Sequence, residues 1–503
     1  QMGKTFVYSM IIGSVLLFYS AITVLKNKGV VYFLSLVYAL FIFGYIFSRY
    51  SSSSLFNGTS PISRATFFAS IIIFILITGF SYLRAYFKNK NVYSAISSIN
   101  KEYIFVLVWF FILIFAATSA IRLLFEFSVI AVIMTSYFFV FIGEYSWKNK
   151  NRYIKYTILI ILLLVLINPL TFAPGIITKN YKNSLNQASF SGPGYNQIWQ
   201  HAGQWVRDNT SEDSIFAHWW DYGYWVQEGF QRTTITDGGN FIGWWNYLMG
   251  RNVLTAQTFE EPLEFLYTHN ASYLLIISDE IGKYPAYSTI GSDEKYDRRS
   301  FIPTYMLDQA NSQETRNGSI FVYSGSGFPL EENFIYQGKI LPAGSSVIGG
   351  FFVNIQNNNN VVVFSQPSVA VFNQNQRFDI PLECLIIDNE RKTFTSDNMI
   401  KGCLKIIPVF STNNNINPFG AAMYLGPRVK DSLFARLYLN NEENEYFELV
   451  YSTPELPLGI INGALIGPLM VWRINYPKSL SLNESSSEYY LRTTYPDERL
   501  FQI

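Results

Sequence analysis

The chain has 503 residues and a formal net charge of +1, with 49% hydrophobic, 17% aromatic and 15% charged residues. Average soluble domains carry about 25% charged residues, so the deficit argues against an ordinary soluble protein and for a membrane portion. No basic run interleaved with aromatics is present, so nucleic acid is not expected as a partner.

The deficit is uneven. Residues 1–207 contain no Asp, their only Glu are Glu102, Glu126 and Glu144, and charge returns from Asp208 onward. Six apolar stretches are long enough to span, since about 20 residues cross the hydrocarbon core of a bilayer. They lie near 5–25, 30–48, 65–86, 103–119, 126–143 and 154–171. This predicts a polytopic α-helical membrane domain over residues 1–171. The first run is not a signal peptide, because no small-residue cleavage pattern follows it. The sequence opens on Gln1-Met2 and enters a span almost at once, as a cut end would.

Orientation follows from the loops. One set holds Lys26, Lys28, Arg84, Lys88, Lys90, Lys101, Lys148, Lys150, Arg152 and Lys155, ten basic residues against three (Arg49, Arg64, Arg122) in the other. The basic-rich side is cytoplasmic, so the protein is expected to be multi-pass in the cell membrane, in contact with the lipid bilayer, with everything after about residue 172 extracytoplasmic. The triplets at Asn209, Asn270, Asn317 and Asn483 would then face a compartment where glycosylation occurs. Arg122 sits at the outer mouth between the fourth and fifth spans. Charge at that depth is costly and usually functional, and a guanidinium can grip a phosphate with two hydrogen bonds. Snorkelling to the interface, or pairing with Glu126 one turn on, is the alternative.

In the external half, alternating strands and helices predict an α/β core over 172–310. Residues 195–207 read as a helix, with Ile198, Ala202, Trp205 and Val206 on one side. Ser214–Ala217 reads as a strand, 231–236 as a second strand, 241–254 and 260–268 as helices, and Tyr273–Ser278 as a buried strand. The segment Asp279–Gly291 reads as a site element or as a solvated loop. From 311 to 503, short apolar runs broken by Gly, Pro and Asn clusters such as 357–360 and 413–415 predict a β-rich module. Within it, 432–439 reads as a helix and 447–451 as a strand. Cys384 and Cys403 could pair or remain buried thiols, and the three His lack zinc-ligand spacing.

One string stands apart: Trp219-Trp220-Asp221-Tyr222-Gly223, just after the 214–217 strand. Trp offers an apolar face and one N–H donor, and Asp offers acceptors only, so together they can line a small pocket for a hydroxyl. An aromatic-rich strand-to-helix corner is the structural alternative. The string resembles the signature of the catalytic subunit of oligosaccharyltransferase, archaeal-type and single-subunit, which moves a lipid-linked oligosaccharide onto Asn in Asn-X-Ser/Thr.

The resemblance implies that Trp219, Trp220, Asp221, Tyr222 and Gly223 bind the acceptor hydroxyl. It also implies that Arg122 holds the donor diphosphate and that Tyr224 contacts the donor. The family has a second motif, Asp-X-X-Lys-X-X-X-Met/Ile, behind the hydroxyl pocket. Here Asp279 stands one residue too far from Lys283, Glu280 keeps the tighter spacing, and Tyr287 stands where Met or Ile is expected. Lys283 carries over to acceptor binding, with Ile290 or Tyr287 as the methyl contact.

The family also binds Mn2+ or Mg2+ through acidic residues of its external loops, and hard cations need such oxygen ligands. With no Asp before Asp208, no catalytic carboxylate and no metal ligand is assigned to this chain. The expectation is therefore an N-terminally truncated or split enzyme that keeps the sequon pocket and the diphosphate contact. Its partners would be a dolichyl- or similar polyprenyl-linked oligosaccharide and acceptor proteins with Asn-X-Ser/Thr. The alternatives are a non-catalytic membrane-anchored glycan- or peptide-binding subunit, and a related lipid-sugar transferase with another acceptor.

Overall fold

A computed structural model describes residues 3–51, 53–88, 90–168, 170, 174–191, 194–315, 318–358, 361–374, 376–410, 415–454, 456–481 and 484–496. Its chain divides into two compact units, residues 1–192 and 193–503.

Apolar runs without polar partners must form helices in a bilayer, because every backbone N–H has to be satisfied within the segment. The first unit is accordingly helical: α1 Lys4–Ile22, α2 Lys28–Phe47, α3 Pro61–Lys88, α4 Lys90–Ser97, α5 Lys101–Ser119, α6 Leu124–Trp147, α7 Arg152–Ile167 and α8 Ile176–Ser191. Helix starts are set by asparagines. The Asn27 side chain accepts from the N–H groups of Gly29 and Val30, Asn100 from Glu102, and Asn151 from Tyr153 and Ile154. Each such cap stabilises its helix by about 1 kcal/mol. Tyr38, Phe110, Ile130 and Met134 are fully buried at the centre. Helices α1 and α6 approach closely at Gly13, where a Cβ would lie 1.9 Å from the Met134 carbonyl oxygen.

Among the described residues, five helices are long and apolar enough to cross a membrane: Lys4–Leu25, Lys28–Phe47, Pro61–Lys88, Lys101–Ser119 and Leu124–Trp147. The sixth expected span, 154–171, corresponds to α7, which has 16 residues and reaches only about 24 Å at 1.5 Å per residue. It stops at Ile167 because Asn168 precedes a proline, which disfavours the helical conformation. Residues 169 and 171–173 of that span lie outside the described residues, as do Asn317 and Asn483 of the glycosylation triplets. Helices α4 and α8 were not expected.

The second unit begins with helix α9 (Gln197–Asn209), capped by Asn196. Its first sheet has the strand order 447–452, 469–474, 271–277, 215–217, 233–234. Strand 215–217 runs parallel to both 233–234 and 271–277, whereas 469–474 runs antiparallel to 271–277 and to 447–452. The near-continuous apolar run from Tyr273 to Ile277 is buried, as a central strand covered on both faces requires. The expected boundary at 310 does not separate the sheets. Strand Thr304–Leu307 belongs to the second sheet, and two strands from beyond residue 440 complete the first. The open edge of 271–277 needs a partner, and no local pattern says how far away that partner lies. The helix expected at 432–439 is present over 433–439, opening with Leu433 and Phe434 and widening into the π turn Ala435–Leu439.

Seven strands of the second sheet close on themselves, in the order 376–387, 368–373, 347–358, 318–329, 304–307, 416–425, 400–410 and back to 376–387. The closing pair is parallel, with Cys384 opposite Cys403. These two buried cysteines are disulfide-bonded, so one covalent bond joins the two strands that shut the barrel. Replacing both with alanine is expected to lower stability by about 2–4 kcal/mol. The check is the unfolding temperature of the detergent-solubilised chain: a reductant should lower that of the native chain and leave the double variant unmoved.

Candidate functional site

The singled-out string occupies a strand-to-helix corner. Strand Ile215–Ala217 ends, Trp219 stays extended, Trp220–Tyr222 forms a 3-10 turn, and Gly223–Trp225 starts a helix. The corner is tight because of Gly223. A Cβ there would lie 2.4 Å from the Asp237 Cβ and 2.8 Å from the Thr236 carbonyl oxygen, so the helix start sits directly on the exit of the neighbouring strand. Asp237 is itself fixed by donors from Gln227 Nε2 (3.0 Å) and the Gly239 N–H (2.8 Å). Thr236 Oγ1 donates to the His218 carbonyl at 2.9 Å.

Lys283 meets this corner from the helix Asp279–Ile290. Its Nζ lies 2.8 Å from Asp221 Oδ2 and donates to the Tyr222 hydroxyl at 3.1 Å. Asp221 and Lys283 remain partly accessible, and so does Trp220, whereas Trp219 and Tyr222 are each 1% exposed. The accessible face therefore consists of Trp220, Asp221 and Lys283. Trp219 and Tyr222 back it from within the core. Tyr222 ionises only with difficulty: burial raises its pKa first, and the carboxylates of Glu280, Asp279 and Asp221 add to the effect.

The segment after Ser278 is helical despite Gly282 and Pro285, and this settles which acid faces inward. Asp279 is exposed, and Glu280 is fully buried. Glu280 Oε2 accepts from the Ile277 N–H at 3.0 Å, while its Oε1 is buried without a partner. The Trp219 backbone lies close enough to the carboxylate to oppose the rise in its pKa. Tyr287, one turn beyond Lys283, is fully buried with its ring 5.6 Å from that of Trp219. Ile290 is half-buried at the last position of the helix, so the residue that reaches Trp219 is Tyr287. Tyr224 is 53% exposed and covers Gly238, where a Cβ would lie 2.8 Å from its ring.

In the membrane unit, Arg122 lies exposed in the turn Ile121–Leu123 between α5 and α6. Arg49 reaches the same helix end, donating to the Thr118 carbonyl at 3.2 Å. In the sequence Arg49 counted only toward topology. His218 is the other residue that sequence reasoning passed over, and Glu280 was noted there for its spacing to Lys283 without being given a role. Among the described residues, no group of three or more His, Cys, Asp or Glu is placed to hold a metal ion. Asp221 is engaged by Lys283, and Glu280 is enclosed, so neither fits a hard cation.

At the corner, two buried groups besides the tyrosines carry shifted pKa values. Burial pushes Glu280 up to about 8, against the opposing pull of the Ile277 N–H and of Lys283. Burial pushes His218 down to about 4, although its Nδ1–H donates to the Trp219 carbonyl at 2.8 Å. For Glu280 the folded pKa lies above the unfolded value, so the folded state binds more protons between about 4.5 and 8 and stability falls as pH rises through that window. For His218 the folded pKa is depressed, so stability is present above about 6.5 and is lost as pH falls toward 4. Glu280→Gln mimics the protonated acid. Its unfolding temperature relative to the native chain should rise between pH 5 and pH 8, as thermal melts across that range would report. Glu280→Ala should destabilise at every pH, by about 1–3 kcal/mol for each backbone N–H left unpaired.

No family model matches the chain. Over 143 residues it is 29% identical to dolichyl-phosphooligosaccharide-protein glycotransferase 1 of Pyrococcus furiosus, a stretch covering 28% of this chain and 14% of that relative. Over 145 residues it is 28% identical to the dolichyl-diphosphooligosaccharide–protein glycosyltransferase subunit STT3 of Saccharomyces cerevisiae, covering 26% of this chain and 20% of the relative. Among solved structures, the apo oligosaccharyltransferase of Archaeoglobus fulgidus aligns over 77% of this chain and 37% of its own length, at 14% identity and a TM-score of 0.39. The chain thus spans 14% to 20% of the length of these two curated relatives. Within that partial region, this membrane protein is a homologue of the STT3 and AglB oligosaccharyltransferases.

Proposed function

We propose that this chain is the acceptor-binding part of an oligosaccharyltransferase, which transfers a lipid-linked oligosaccharide to Asn in Asn-X-Ser/Thr. The observation that carries the reading is the convergence of Asp221, Tyr222 and Lys283, with Nζ 2.8 Å from the Asp221 carboxylate. Lys283 keeps one carboxylate oxygen engaged and orients the other toward an incoming hydroxyl, for which Asp supplies acceptors and Trp220 an N–H donor. Trp219, backed by Tyr287, holds the Trp220 face in place, and Gly223 permits the turn. Tyr222 fixes Lys283 from the other side. Ile290 lies on the same helical face as Lys283 and is the remaining candidate for an apolar contact with the acceptor.

A site built to pair a hydroxyl rejects an analogue lacking it by about 10^4, because its buried partners are left unmatched. Such discrimination is what reading Ser or Thr two residues after Asn requires. On the donor side, Arg122 would grip the diphosphate with two hydrogen bonds, Arg49 would add charge at the same helix end, and Tyr224 would contact the glycan or its linkage. The excess of basic loops on the other side of the membrane supports an extracytoplasmic position for residues after about 172. No step in amide activation is assigned to this chain, and the Mn2+ or Mg2+ expected in the complete enzyme has no ligands assigned here.

The test is a cross-pattern of binding. Asp221→Ala, Trp220→Ala and Lys283→Ala should each weaken binding of an Asn-X-Thr peptide by about 10- to 100-fold, the range for one charge-assisted hydrogen bond, and leave binding of a polyprenyl diphosphate-linked sugar unchanged. Arg122→Ala should do the reverse. Equal losses of both ligands in every variant would sink the assignment. Equal binding of Asn-X-Thr and Asn-X-Ala peptides by the native chain would favour a general peptide- or glycan-binding subunit. Alone, with donor, peptide and Mn2+ supplied, the 503-residue chain should transfer no glycan, as peptide mass spectrometry would report.

A further inference from the structure

The membrane unit contains a cleft of about 470 Å3 that no residue of the candidate site lines. Its walls come from four helices: Ile22 of α1, Leu34 of α2, Phe74 and Gly79 of α3, and Ile96 of α4. The polar edge is largely self-satisfied, since Thr78 Oγ1 donates to the Phe74 carbonyl at 2.6 Å. What the cleft offers a ligand is hydrocarbon.

Its rim is cationic. Lys26 and Lys28 lie between Leu25 and Val30, both of which line the cleft, and Lys101 follows Ile99, another lining residue, across the capping Asn100. All three lysines are exposed. Among the described residues of this unit the ion pair is Lys148 with Glu144, so none of these three lysines is held in one, and the acid next to them in sequence is Glu102. The rim also stands apart from Arg122. Helix α5 begins at Lys101 and ends at Ser119, which puts the two basic ends about 28 Å apart along its axis at 1.5 Å per residue. A phosphate held at Arg122 is therefore not the anion that these lysines would meet.

We propose that this cleft binds one acyl chain of an anionic glycerophospholipid, whose phosphate headgroup is held by Lys26, Lys28 and Lys101. The apolar walls take the chain, and the excess of lysine over the single Glu102 at the rim selects the charge of the headgroup. This site is independent of the glycosyl-transfer reading. Its helices, α1 to α4, are the ones that a retained lipid would hold together.

Native mass spectrometry of the full chain in detergent tests the proposal, with phosphatidylglycerol, phosphatidylcholine of the same acyl chains, and undecaprenyl phosphate as probes. The native chain should retain one phosphatidylglycerol in preference to phosphatidylcholine. Lys26→Gln with Lys28→Gln should reduce that preference by roughly fivefold per lysine. Gly79→Leu should lose both phospholipids, because a Cβ at Gly79 meets nothing within 4 Å and the side chain has room to fill the cleft. Ile96→Trp is the second filling variant, so a folding defect in one leaves the other readable. Equal retention of the two phospholipids by the native chain, or unchanged retention in a folded filling variant, would overturn the proposal. Displacement of phosphatidylglycerol by equimolar undecaprenyl phosphate would overturn it in favour of an isoprenoid site.

Discussion

One buried carboxylate sits where three parts of the second unit meet. Glu280 accepts from the N–H that ends the central strand, and its carboxylate lies beside the Trp219 backbone, which opposes the rise in its pKa. A charge in that position is expensive unless hydrogen-bonded, and the raised pKa reflects the expense. In exchange, the helix that carries Lys283 is fixed against the turn that carries Asp221. The 2.8 Å contact between them is then a consequence of backbone geometry. Two flexible side chains meeting in solvent would gain little from the same contact.

The corner works by layering. Trp219 and Tyr222 are enclosed: Tyr287 lies 5.6 Å behind Trp219, with Tyr284 and Phe434 packed on Tyr287, and Trp199 lies 5.3 Å from Tyr222. Trp220, Asp221 and Lys283 form the accessible skin. A packed aromatic layer lies under a thin polar face in which Lys283 and Asp221 already meet at 2.8 Å. Part of the motif is therefore surface and part of it is the foundation for that surface.

Local features were legible in the sequence, and long-range ones were not. The membrane half was visible in the missing Asp and the apolar runs, and the strand at 273–278 matches Ala271–Ile277 because a continuous apolar run bounded by polar residues has few alternatives. Helix α9 was visible in its periodicity. The helix at 279–290 was ambiguous because Gly282 and Pro285 read as breakers, whereas burial of Glu280, Tyr284 and Tyr287 on one face outweighs both. Helices α4 and α8 are short or polar and carry no spanning signal. The closure of the barrel and the ownership of the 447–452 and 469–474 strands depend on pairings between distant residues, which no window of local pattern contains. At the site, the string itself pointed to the corner, but only the structure showed that Glu280 faces inward and Asp279 does not.

The shared sheet also sets a timetable for synthesis. Strand 271–277 leaves the ribosome well before 469–474, its antiparallel neighbour. At about 5–20 residues per second the partner arrives on the order of ten seconds or more later. During that interval the barrel has its own strands to pair, and an apolar edge next to the Trp219–Gly223 corner stays open. Such an edge is a template for wrong partners, so the nascent chain needs shielding until its last strands emerge. A stop codon or a protease cut ahead of residue 469 would remove no residue of the corner, yet it would strip one side from the strand that leads into the helix of Lys283.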